Sequence, residues 1–135
     1  MTSVVVDTNV LLSFLLDRDA EQQQRASDLI HAAAARELEL DQQVITELIY
    51  VLLNLYDHPR QAIAQIVREL LALPGVRTVD SVDWDRVLEL WPETFRDFAD
   101  AVLAATCQLG RHGAVATFDE GCARLLGRID VGSYW

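Results

Sequence analysis

Asp7, Glu47, Asp100 and Asp119 are the residues whose type and placement suit chemistry in this 135-residue chain. Asp7 follows three valines directly and leads into the apolar run TNVLLSFLL. Asp119 comes two residues after Thr117, at the end of AVAT. Glu47 is the one charged residue among the fourteen of QVITELIYVLLNLY. Ile45, Leu48, Ile49, Leu52, Leu53 and Tyr56 form a stripe at helical spacing there, and Val44, Val51 and Leu55 flank the other side. That helix is expected to be apolar nearly all round and buried. A buried carboxylate must be paired, protonated or bound to a cation, and no basic residue lies one turn away. Asp100 opens ADAVLAATCQLG, where Ala104 and Cys107 on its face let a helix approach a sheet closely.

Each acid also has an ordinary reading. Asp7 and Asp119 are good helix N-caps, Glu47 can face solvent, and the first turn of a helix stabilises both Asp97 and Asp100. Brought into one cleft, four carboxylates repel one another, and a divalent cation relieves that repulsion best. Oxygen-only donors favour Mg²⁺ or Mn²⁺ over zinc. His31, His58 and His112 are scattered, with no HxxxH pair. A carboxylate-held cation of this kind activates water for in-line displacement at a phosphate.

The elements that must position these acids alternate. Strands are expected at Val4–Val6, 37–40, 76–79 and 114–117, with a last one near 129–131. Helices are expected over 8–16, from an Asp19 cap through Arg36, over 42–56, 59–73, 83–91, 97–109 and 120–126. The PG at 74–75 is a break. Val4-Val5-Val6 has the pattern of a strand buried on both faces, as in a parallel sheet. The alternation argues for one α/β domain over 1–135, a sandwich around a mainly parallel sheet. Ligands of such sheets bind outside the carboxyl ends of the strands, where Asp7 and Asp119 fall.

Composition sets outer bounds. Apolar residues make up 51% of the chain, enough for a core, yet none of the runs reaches the roughly 18 residues of a membrane span. No basic segment precedes the first apolar run, so no signal peptide is expected. Cys107 and Cys122 form no CxxC pair, which suits a reducing cytoplasm. The formal charge is −10, and all 11 basic residues are arginine. Global charge makes the chain a poor candidate for unspecific nucleic-acid or membrane binding and a better one for cations, for basic partner segments, or simply for staying soluble.

VVVDTNVLL, ITELIYVL, DFADAVLAAT and AVATFDEG, in that order and spacing, resemble the PIN-domain ribonuclease family, many of whose members are VapC-like toxins of toxin–antitoxin pairs. The resemblance runs from Ser3 to about Leu126. It implies a PIN-like three-layer α/β/α sandwich with a mainly parallel sheet of four to five strands. It also implies a catalytic, metal-holding quartet of Asp7, Glu47, Asp100 and Asp119 binding one or two Mg²⁺ or Mn²⁺ ions. Thr117 matches a supporting hydroxyl. Thr8 and Asn9 are expected to orient Asp7 or a water, and Asp97 either shares metal duties or caps its helix. The implied activity is hydrolysis of RNA phosphodiester bonds, with a homodimer and a cognate antitoxin as partners. Arg18, Arg25, Arg36, Arg60, Arg68 and Arg96 are candidates for a phosphate-binding rim.

Two other classes compete. A non-catalytic PIN-fold binding or scaffold protein keeps the fold without turnover. A dehalogenase-like phosphatase needs a second aspartate two residues after the first, where this chain has Asn9, and a basic partner that is missing. A phospho-receiver domain needs a lysine, and the chain has none.

Overall fold

A computed structural model describes residues 3–110 and 113–135; Arg111 and His112 lie outside the described residues. Strand β1 (Val4–Val6) is wholly buried. Successive strand side chains point to opposite faces, so burial of all three residues requires cover on both sides of the sheet. β2 (Leu38–Asp41), β3 (Val76–Val79) and β4 (Ala114–Ala116) complete a four-stranded sheet in the order β3-β2-β1-β4. Every pairing is parallel, with Val5 opposite Glu39 on one side and Val115 on the other.

The strand order positions the site. The chain moves outward from β1 through β2 to β3, then returns to place β4 on the other side of β1. Segments leaving β1 and β4 therefore diverge, and a crevice opens outside their carboxyl ends. Asp7 leaves β1 at that point, and Thr117 to Asp119 leave β4 there.

Eight helices are described. α1 (Thr8–Leu15) starts on Asp7, whose side chain accepts from the Thr8 amide at 2.7 Å. α2 (Ala20–His31) is capped by Asp19, and α3 (Ala33–Arg36) follows after a break at Ala32. α4 (Gln42–Asn54) is capped by Asp41, and α5 (Arg60–Ala72) follows Pro59. α6 (Trp84–Leu90) is capped by Asp83 and packs on α7 (Phe98–Gly110). α8 (Glu120–Arg128) is capped by Asp119. Every residue of α7 from Ala101 to Cys107 is buried, and this small-residue helix lies on β1 and β4.

The structure departs from three sequence expectations. The helix expected to run unbroken from Asp19 to Arg36 stops at Ala32, despite its alanines. Gly75, at φ +84°, brings its Cα face against the Ala33 carbonyl, and its own carbonyl accepts from the Leu38 amide at 2.8 Å. Propensity yields there to the turn that delivers the chain into β2. The last strand, expected near 129–131, does not form: Asp130 takes φ 58°, and an isolated parallel bridge joins Val115 to Ser133 instead. Finally, α4 buries only one face. Val44, Leu48 and Leu52 are in the core, whereas Glu47 is exposed and Tyr50 is 60% exposed.

Candidate active site

Asp7, half-buried, is the centre of the cluster. One oxygen takes the Thr8 amide, and the other takes the Thr117 hydroxyl at 2.8 Å. Thr117 is itself buried, and its oxygen accepts from the Asp119 amide at 3.1 Å and from Asn9 Nδ2 at 3.3 Å. Asn9 Oδ1 in turn accepts from the Phe118 amide at 3.2 Å. The turn after β4 is thus fastened to the start of α1 by side chains that follow each strand directly.

Burial pushes the Asp7 carboxyl up to about 6, against the pull of the Thr117 hydroxyl and the Thr8 amide, and the charges of Glu47 and Asp119 add to the rise. Burial likewise pushes Asp100, half-buried on α7, up to about 7; the charges of Asp97, Asp7 and Asp119 add to it, and a bond from the Cys122 thiol opposes it. Asp7 thus feels the charges of Glu47 and Asp119, and Asp100 those of Asp97, Asp7 and Asp119.

Glu47 reaches this edge from α4, and its Oε2 lies 3.4 Å from the buried Thr8 hydroxyl. That hydroxyl is equally far from the Val44 carbonyl, so Thr8 joins α1 to α4. Asp119 is exposed, and its Oδ1 takes the Cys122 amide as the cap of α8. Asp97 is exposed and accepts from the Asp100 amide at 3.3 Å, which is the geometry of a cap.

The donors that meet at this edge are all carboxylate oxygens, which suits a hard divalent cation. Among the described residues, no three His, Cys, Asp or Glu side chains stand close enough to share one ion as they are. The fit lies in the chemistry of the set: burial raises Asp7 and Asp100, neighbouring carboxylates add to the rise, and positive charge placed among them would oppose both.

Two open cavities meet at Asp119. One, of about 660 Å³, joins Asp97, Asp100 and Asp119 to Arg96, Arg124 and Arg128. The other, of about 320 Å³, joins Asp119 and Thr117 to Arg25 and the ring of Trp135, which stacks on Phe118 at 4.6 Å. Of the arginines expected at a rim, Arg25 and Arg96 are there. Arg18 instead binds the Asn9 carbonyl and Ser13, Arg36 lies over the Tyr134 ring, and Arg60 and Arg68 ride on α5 beside β3. Sequence reasoning missed Arg124 and Arg128. Their spacing of four in GCARLLGR puts both on one helical face, the available signal. It also missed Cys122 and the buried Asp41, at the carboxyl end of β2.

A parallel α/β sheet with acidic side chains outside the carboxyl ends of its strands, at the switch point, has the layout of a ligand-binding edge. The PIN domain family model matches residues 4–127, and the chain belongs to that family. FitAcB from Neisseria gonorrhoeae is similar in fold, with a TM-score of 0.66 at 19% identity over 98% of this chain and 96% of that one. The sarcin-ricin loop cleaving toxin VapC20 from Mycobacterium tuberculosis has a TM-score of 0.65 at 22% identity over 90% and 94%. A toxin–antitoxin complex from Klebsiella pneumoniae gives 0.61 at 22% identity over 85% of each chain. No curated protein matches.

Proposed function

We propose that this protein is a divalent-metal-dependent endoribonuclease, hydrolysing RNA phosphodiester bonds as the toxin of a toxin–antitoxin pair. The observation that supports the reading is Asp7 at the carboxyl end of β1, bonded to Thr117 from β4 and raised by burial with the charges of Glu47 and Asp119 adding to it. VapC20, of similar fold, is a sarcin-ricin loop cleaving toxin, and another similar structure is a toxin–antitoxin complex.

Asp7, Glu47, Asp100 and Asp119 would hold Mg²⁺ or Mn²⁺. The chemistry such a cation supplies is neutralisation of phosphate charge and a lowered pKa for an attacking water. Thr117 and Thr8 orient the two Asp7 oxygens and keep them ionised against burial. Arg96, Arg124 and Arg128 offer planar donors to the flanking phosphates and offset most of the charge of Glu93, Asp97, Asp100 and Asp119 in the same cavity. The acidic edge also suits an arginine-bearing antitoxin tail. The exposed Ile49, Tyr50, Leu55 and Tyr56 suit burial against a second copy in a homodimer. A cytoplasmic setting is part of the proposal; among the described residues no helix is long and apolar enough to cross a membrane.

The test is incubation of purified protein with RNA, with and without Mn²⁺, beside Asp7→Asn. Metal-dependent cutting that disappears in the variant sustains the proposal. One observation favours a second reading, a non-catalytic PIN-fold binding protein: among the described residues no three acidic side chains stand close enough to share one ion. RNA left whole at every metal concentration selects that reading.

A further inference from the structure

A third cavity lies beside the acidic edge, and its walls differ in kind. It encloses about 280 Å³ between the start of α4, the start of α6 and the first turn of α7. Trp84 forms one wall and is 57% exposed. Its ring stacks on Phe98 at 6.1 Å and 28°, and Phe98 is braced edge-on by Trp91 at 5.4 Å. Gln42, Gln43 and Thr46 supply short polar groups from α4. Asp41 lines the same cavity. It is only 3% exposed; its Oδ1 takes the Val44 amide at 2.7 Å and the Gln43 amide also pulls on the carboxyl, while its Oδ2 is buried with no hydrogen-bond partner in place.

Each feature selects the same ligand. A buried carboxylate oxygen without a donor carries a standing cost that an incoming N–H removes. A flat, partly exposed indole backed by a second ring offers a stacking platform. Proteins that bind single-stranded nucleic acid use such platforms for bases, with hydrogen bonds to the base edge giving selectivity. The cavity also flanks the carboxylates: Thr46 precedes Glu47 on α4, and Phe98 lies two residues before Asp100 on α7.

We propose that this cavity is a nucleobase subsite, in which Trp84 stacks an unpaired base and Asp41 Oδ2 accepts from its exocyclic amino group. The inference rests on RNA as the substrate and assigns Asp41 a specificity role at a base next to the cut. An amino-bearing base such as cytosine or adenine is preferred. Uracil presents a carbonyl where cytosine presents the amine, and two acceptors then face each other.

Asp41→Asn sharpens the test. Asparagine caps a helix as well as aspartate, so its oxygen keeps the Val44 amide and its NH₂ takes the place of Oδ2. The subsite changes from acceptor to donor without losing the cap. Cytidine and uridine are the probes: uncharged nucleosides cannot be cut and are not repelled by the acidic edge. Binding is read by NMR from the Trp84 indole and the Thr46 amide.

Cytidine is expected to bind the wild type about ten-fold more tightly than uridine. Asp41→Asn reverses that order. Trp84→Ala weakens both by about ten-fold, and Trp84→Phe restores most of the loss. Equal binding of the two nucleosides to the wild type, or an order unchanged in Asp41→Asn, overturns the proposal. So do shifts of these resonances with an arginine-rich peptide but with neither nucleoside, which would make the cavity a protein-docking site. Turnover plays no part in this readout, so nuclease activity and the subsite stand or fall separately.

Discussion

The Thr117 hydroxyl donates to Asp7 Oδ2 across 2.8 Å, joining residues 110 positions apart at the ends of two adjacent parallel strands. Its oxygen also receives the Asp119 amide. One small side chain therefore holds the central carboxylate and sets where the fourth acid leaves β4. A hydroxyl has one proton to give, and here it goes to the carboxylate, which keeps Asp7 closer to ionised than burial alone allows.

Replacing Thr117 by Val keeps shape and removes the donor. The Asp7 pKa is expected to rise above about 6, and stability at neutral pH to fall by about 1–2 kcal/mol as a half-buried carboxylate loses its bond. Thr117→Ser is expected to restore both. Urea denaturation and NMR titration of the Asp7 carboxyl check this; equal stability in Val and wild type would sink it.

The metal-free protein is expected to lose stability as pH rises. Asp7 and Asp100 titrate near 6 and 7 when folded, against an ordinary value of 3.8. Between roughly pH 4 and 7 the folded state holds more protons than the unfolded one, so each step up in pH favours unfolding. Tm in EDTA should therefore drop across that window and level off above about pH 8. Asp100→Asn flattens the drop. A Tm that climbs from pH 5 to 8 contradicts the assignment.

Saturating Mg²⁺ or Mn²⁺ is expected to reverse that loss, because a ligand that binds only the folded chain raises Tm with concentration. The gain should be small near pH 5, where the carboxyls are protonated, and large near pH 8. It should shrink in Asp7→Asn and Asp119→Asn but persist in Asp97→Asn, whose side chain serves as a cap. Equal losses in all three variants would place Asp97 among the ligands.

Gly75→Ala tests the turn into β2. A Cβ there would lie 2.0 Å from the Ala33 carbonyl oxygen at φ +84°, so both backbone and neighbour must move. The cost is expected to reach at least about 2 kcal/mol. Gly127→Ala meets no atom within 4 Å and is expected to be stable. Thermal melts of the two variants give the comparison.

Much of this architecture is legible in local chemistry. VVVD announces a strand buried on both faces, VRTV coincides with β3, and Asp19 caps α2 as its position suggests. Asp7 and Asp119, read as strand-end acids or as caps, do cap the helices that follow, and the charge of Asp119 acts on Asp7. Glu47 was harder to place. The apolar residues around it suggest burial, but α4 lies at the surface and leaves Ile49, Tyr50 and Leu55 in solvent. Hydrophobic spacing reports which residues can be buried, not how much cover the rest of the fold supplies.

The sequence by itself determined the alternation of strands and helices, the acids at strand ends and the absence of a histidine metal motif, because periodicity and capping are local. Only the tertiary structure decided that Thr117 holds Asp7, that Arg124 and Arg128 share a cavity with Asp100, and that Asp41 keeps one buried oxygen unpaired. These depend on strand order and on which helix covers which edge, and such long-range pairings leave no trace in the spacing of residues along the chain.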